Sequence, residues 1–150
     1  MLAADRDAGR KMAILELASS DTVGSQYSER MTRSFRFRDE PPLNEHDYVV
    51  RGGELDPRAV ALSVGRCVKV YGVPGISAAA ATGLDARQIV AVSRILSNYG
   101  VCQWSTVGLL REAGVSLIAT FDYPHYSLIL PTHVDKSDAS EYLAPLFRPL

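Results

Sequence analysis

The stretch Gly114–Pro131, G-V-S-L-I-A-T-F-D-Y-P-H-Y-S-L-I-L-P, constrains the fold of this chain more than any other. Two short runs rich in Leu and Ile flank Asp122-Tyr123-Pro124-His125, whose aspartate and proline favour a turn. The pattern predicts a β-hairpin, and a hairpin forces at least one antiparallel pair into any sheet the other strands build. The same stretch sets His125, Tyr123 and Tyr126 among apolar residues, either as the centre of a sheet or as the wall of a site.

Upstream of the hairpin, strand and helix signals alternate. Asp47–Arg51 (D-Y-V-V-R) is β-branched and aromatic and stops at Gly52-Gly53, as a strand running into a turn does. Asp56-Pro57 then offers an N-cap carboxylate followed by proline at the first helical position, where its missing N–H costs nothing. Val60, Val64, Cys67, Val68 and Tyr71 recur at helical spacing before Gly72, which predicts a helix over 57–71. The first part of the apolar run Val73–Ala81 reads as a strand covered on both faces. Asp85 caps a second helix with Ile89, Val92, Leu96 and Tyr99 on one stripe and Gly100 as its stop. Val101–Trp104 is a short strand, Ser105 or Thr106 caps a third helix closed by Gly114, and Glu141–Leu146 forms a last amphipathic turn.

From residue 46 the order is therefore β-α-β-α-β-α-β-β, and the fold class expected is α+β. The architecture expected is a compact mixed sheet with small helices packed on it and a C-terminal antiparallel hairpin. A doubly wound sheet is the alternative, but neither GxGxxG nor GxxxxGK[ST] occurs in the sequence, which disfavours Rossmann or P-loop nucleotide binding.

The first forty residues differ from the rest. Lys11–Ala18 suits two helical turns, Ser19–Arg30 is polar without a period, and Met31 is a second start candidate. Ser34–Arg38 alternates Phe35 and Phe37 with arginines, as an edge strand does, until Glu40-Pro41-Pro42 interrupts it. The expected organisation is an N-terminal arm or extension over 1–44 and a single domain over 45–150.

Composition narrows the function classes. With 47% hydrophobic and 22% charged residues, 150 residues suffice for one packed core. A net charge of −1 and a pI near 6.3 make nucleic acid an unfavoured partner, although Arg30, Arg33, Arg36 and Arg38 crowd one segment. Cys67 and Cys102 belong to no CxxC pair, and three histidines without paired spacing do not make a zinc site, so no metal is expected. No apolar run reaches the roughly 18 residues of a membrane span, and M-L-A-A-D-R-D is too charged for a signal peptide's core. A cytoplasmic protein with no membrane partner is the expectation.

Five positions and one neighbour can carry chemistry. Arg51 ends an apolar strand beside Gly52, where backbone can approach a ligand and a guanidinium can fork onto phosphate or carboxylate; a surface arginine before a turn is the plainer reading. Ser77 stands in G-I-S-A among small residues that leave room for a ligand or for tight packing. Ser105 lies at a strand-to-helix junction whose free N–H groups suit an anion, with simple capping as the commoner use. His125, in the turn, is the candidate catalytic acid or base, and Tyr126 beside it a candidate ligand contact.

Tyr48-Val49-Val50-Arg51-Gly52, followed by Ser77 in G-I-S-A, resembles the opening of ADP-ribosyltransferase-like domains over residues 47–81. The resemblance implies NAD as the ligand, gripped by Arg51 on the first strand, with Ser77 on the second supporting the site. Two departures accompany it. Ala78-Ala79-Ala80 replace the hydroxyl neighbours of that serine, and Tyr126-Ser127-Leu128-Ile129-Leu130 offers no acid where the family keeps its catalytic glutamate. Loss of that glutamate leaves NAD binding open and puts transfer in question. The core also looks like short bacterial proteins of toxin–antitoxin pairs, which implies an antitoxin or other regulatory protein as partner. The expected function is a small bacterial effector or toxin-like domain with an NAD-type or phosphate site for a small-molecule or nucleotide ligand. A ribonuclease-like toxin using His125 and Arg51, and a non-enzymatic binding or regulatory module, are the alternatives.

Overall fold

Strand β1 (Tyr48–Gly52) is the expected β-branched segment, and its Val49 and Val50 are both fully buried, one on each face of a sheet. The computed structural model describes residues 36–150, so the expectations at Lys11–Ala18, at Met31 and at the start of Ser34–Arg38 lie outside the described residues. After β1 come α1 (Pro57–Tyr71), β2 (Gly75–Ala80), α2 (Ala86–Val92), a 3₁₀ turn (Leu96–Asn98), β3 (Cys102–Thr106), α3 (Val107–Glu112), β4 (Ser116–Ala119) and β5 (His125–Ile129). The chain ends through α4 (Ala139–Leu143), a second 3₁₀ turn and the short β6 (Arg148–Pro149).

The α+β architecture is the one the sequence predicts: a six-stranded sheet in the order β4-β5-β2-β1-β3-β6 with helices packed on it. Every pairing in the sheet is antiparallel, which removes the doubly wound alternative. The predicted hairpin is β4–β5, with Ser116 opposite Ile129 and Ala119 opposite Tyr126.

Alternation along the strands assigns the two faces. Val49, Ile76, Ala78, Tyr126 and Leu128 join Val60 and Val64 of α1 and Leu143 of α4 in the larger core. Val50 and Ala79, on the other face, pack with Ile89 of α2, Leu96 and Trp104 in a smaller one. Asp56 accepts from the Ala59 backbone N–H at 2.9 Å and caps α1, which stops at Gly72 in the left-handed region. Thr106, rather than Ser105, caps α3.

One predicted helix is shorter than its periodicity suggests. The stripe Ile89, Val92, Leu96, Tyr99 predicts a helix up to Gly100, but α2 stops at Val92 and Ser93 adopts extended backbone. The Ser93 hydroxyl accepts from the Leu96 backbone N–H at 3.1 Å, a local bond that competes with helix continuation. Only Ile89 and Leu96 of the stripe are buried; Val92 and Tyr99 are exposed.

Residues 36–44, assigned from sequence to the arm, are tied to the domain. Phe37 bridges to Thr120 beyond β4, Leu43 is buried in the larger core, and Arg38 reaches the hairpin turn. Because Leu128 is fully enclosed between α1 and the sheet, Leu128→Ala is expected to lower unfolding stability by roughly 2–5 kcal/mol, measured by urea denaturation. Asp56→Ala is expected to cost about 1 kcal/mol in the same measurement.

Candidate functional site

The sheet parts at one end. Between β1 and β2 the paired register stops at Val50 opposite Ala79, while β1–β3 pairing runs on to Gly52 opposite Cys102 and β2–β5 pairing to Gly75 opposite Ile129. Arg51 fills the gap. Its Nη1 donates to the Ser77 carbonyl at 2.9 Å and its Nη2 to the Ser63 hydroxyl of α1 at 3.3 Å. The side chain is 8% exposed, and its Nε is buried without a hydrogen-bond partner. Among the described residues no carboxylate lies within ion-pair distance of this guanidinium. Burial lowers the Arg51 pKa, an effect that Tyr99 partly offsets, and a guanidinium stays charged at neutral pH nonetheless. A half-satisfied cation at the edge of a cleft, with no counter-charge, is suited to meeting an anion there.

A cleft of about 480 Å³ opens at this point. Arg51, Gly52 and Tyr99 form one end; Ser77, Ala78 and Ala79 form the floor; Ser93–Leu96 form a wall; and Asp122–His125 form the other end. Gly52 is required by close approach, because a Cβ there would lie 2.4 Å from Cδ2 of the Tyr99 ring. Tyr99, Ile95 and Tyr123 are exposed at the rim, so the cleft joins planar apolar surface to the cations Arg51 and Arg94.

His125 enters the cleft from β5, which pairs it with Ala79. Its Nδ1 lies 3.0 Å from the Thr120 hydroxyl and 3.2 Å from the Thr120 carbonyl, and the Phe121 ring stands edge-on at 5.2 Å. Phe121 itself has a φ of +55°, a left-handed conformation that bulky residues adopt only under local constraint. Arg38 supplies part of that constraint: its Nη1 donates to the carbonyls of Thr120, Phe121 and His125 at 2.5, 3.2 and 2.7 Å. Burial is the main reason that the His125 pKa falls below its ordinary value, with Arg38 adding to the effect and the Thr120 carbonyl and Asp122 opposing it.

Arg51, Gly52, Ser77 and His125 therefore meet at one cleft, and Ser105 and Tyr126 do not. Ser105 is 1% exposed, opposite Val49 on the face that carries the larger core. Tyr126 follows His125 in the strand and so faces the other side, where its hydroxyl donates to Glu40 at 2.9 Å and it lines a smaller cavity with Arg38 and Pro41. Burial, then Glu40, pushes the Tyr126 phenol pKa up; burial opposes ionisation of Glu40 as well, but its bonds to Arg38 and Tyr126 hold it below the ordinary carboxylate value. Sequence reading missed Tyr99, Arg94 and Thr120. Tyr99 falls on the stripe of the predicted second helix, and nothing local distinguishes the other two.

Among the described residues no group of three His, Cys, Asp or Glu side chains could hold a metal ion, and no helix is long and apolar enough to cross a membrane. Burial pushes the Cys67 thiol up to about 11, which makes it an unreactive core residue. No protein-family model, curated protein or solved structure matches the chain.

A depressed histidine pKa makes a stability claim with a definite sign. Folding holds His125 neutral, so its contribution is complete above the unfolded value of 6.5 and is lost as pH falls below it, where the unfolded chain takes up the proton first. Thermal unfolding between pH 8 and pH 5 is expected to show wild-type stability falling on the acid side, and His125→Asn to flatten that slope.

Proposed function

We propose that the cleft binds a phosphate-bearing nucleotide of the NAD type and that the chain is an ADP-ribosyltransferase-like domain of a small bacterial effector or toxin. The observation that carries the reading is the Arg51 guanidinium, largely buried and without a carboxylate partner, lining the same cleft as Ser77 and His125. The resemblance in sequence rests on an arginine strand and a serine strand over residues 47–81, and the late strand departs from it in offering no acid. Here β1, β2 and β5 are consecutive neighbours, with Arg51, Ser77 and His125 as their contributions to the cleft.

The residues present fit such a ligand. Arg51 and Arg94 would take the phosphates, Tyr99 and Tyr123 would flank the planar rings, and the volume is in the range of small-molecule sites, about 300–1,000 Å³. Bound NAD would supply an activated glycosidic bond. Of the chain's own groups, Arg51 orients the anion and His125 can accept a proton from a hydroxyl or a water. The exposed apolar side chains Ile95, Tyr99 and Tyr123 at the cleft are the surface on which an antitoxin or regulatory partner would cover the opening.

Calorimetric titration of the wild type with NAD and ADP-ribose is expected to show saturable binding. Arg51→Gln, which keeps a polar side chain in the gap, is expected to weaken it at least tenfold, about 1.4 kcal/mol. Absence of binding by both ligands overturns the reading. Cleavage of total RNA by the wild type, lost in His125→Asn, would move the assignment to the ribonuclease-like alternative.

A further inference from the structure

Thr120 caps the end of β4 and is fully buried, yet its hydroxyl and its carbonyl both face the same imidazole nitrogen of His125. The Thr120 hydroxyl also lies 2.8 Å from that of Ser127, which is itself buried on β5. We infer that Thr120 is a positioning residue that locks His125 in the Nδ1–H tautomer and so presents Nε2 to the cleft as a proton acceptor. The inference rests on the reading of the cleft as a ligand site.

The hydroxyls alone allow two arrangements, and the Thr120 carbonyl decides between them. A carbonyl oxygen can only accept, so a proton on Nδ1 is shared between the Thr120 carbonyl and the Thr120 hydroxyl oxygen. The Thr120 hydroxyl then donates to Ser127, and every polar atom in the group has a partner. In the opposite tautomer the Nδ1 lone pair faces the carbonyl oxygen, which is repulsive. The carbonyl cannot swing away, because Arg38 Nη1 donates to it and to the carbonyls of Phe121 and His125. Nε2 has no hydrogen-bond partner among the described residues and is not one of the enclosed orphan atoms, so it is open to the cleft that His125 lines. Fixing a histidine's tautomer through its other nitrogen is how proteins aim the free one.

The step this allows is a single proton transfer. A hydroxyl or water held in the cleft loses its proton, the O–H bond breaks, an N–H bond forms at Nε2, and the positive charge on the ring is met by the Thr120 carbonyl. The charged or titratable groups around the ring are Arg36, Arg38 and Glu40 on the incoming segment, Asp122 and Tyr123 in the turn, Tyr71 of α1 behind Phe121, and Arg94 and Tyr99 across the cleft. None of them offers Nδ1 a second acceptor.

Long-range ¹H–¹⁵N spectra of the full chain, recorded from pH 5 to 9, read the tautomer directly. The signals of His125 are picked out by their loss in His125→Asn. Wild type is expected to show a single Nδ1–H species above the titration midpoint. In Thr120→Val the carbonyl still faces Nδ1, so the Nδ1–H form is expected to remain dominant, whereas Arg38→Gln, which frees that carbonyl to turn away, is expected to move the averaged ¹⁵N shifts toward the Nε2–H form. An Nε2–H tautomer in wild type overturns the inference even if the variants do not fold, and so does a Thr120→Val protein that turns to the Nε2–H form or an Arg38→Gln spectrum identical to wild type. Because the readout needs no nucleotide, failure of NAD to bind would sink the ligand assignment and leave this result standing.

Discussion

One guanidinium joins the fold of this chain to its candidate chemistry. Arg51 stands where the β1–β2 ladder ends, and its bond to the Ser77 carbonyl replaces the backbone donor that the parted strands no longer supply. Taking an arginine out of water costs several kcal/mol, and a neutral carbonyl and one hydroxyl offset only part of that. An apolar residue could have closed the gap at lower cost, but it would also have closed the cleft. The split sheet and the buried cation are thus one feature: the strands diverge to admit the side chain, and the side chain keeps them apart at a fixed distance.

A second arginine does comparable work at the opposite end of the cleft. Arg38 gathers three carbonyls of the hairpin turn onto one nitrogen and pairs with Glu40 at 2.6 Å, while Tyr126 completes the group from the far face of β5. Carbonyls that converge this closely repel one another unless a cation lies among them. Arg38 thereby holds Phe121 in its left-handed conformation and Thr120 against His125. Through these contacts the segment around Arg38 is packed on the hairpin turn.

Local signals made much of this legible. The hairpin, the Asp56-Pro57 helix start, the Gly72 stop and the strand ending at Gly52 rest on neighbours in sequence, and all are present. The grouping of Arg51 and Ser77 is legible only through the spacing of two strand motifs, and His125 joins them only by its place in a turn. What the sequence hid depends on residues far apart in the chain. The Arg38 contacts span more than eighty positions. The break at Ser93 turns on one hydroxyl competing with the helix for the Leu96 N–H. The pairing of His125 with Tyr126 in one site was avoidable from sequence alone, because consecutive strand residues face opposite sides of a sheet.

The absence of an acid on β5 bears on what kind of chemistry the cleft can support. A carboxylate at the place of His125 would stabilise positive charge on a bound substrate and could also take a proton. A neutral imidazole does only the second. Burial and Arg38 both disfavour the charged ring, so His125 is held ready to accept a proton rather than to counter a cation. Asp122, at the same end of the cleft, is the carboxylate left to meet positive charge, and it is a largely exposed side chain that Arg36 approaches at 3.9 Å. On the proposed reading, the cleft's residues suit holding an anion beside a base better than steadying a cationic transition state, and they favour binding with proton abstraction over group transfer.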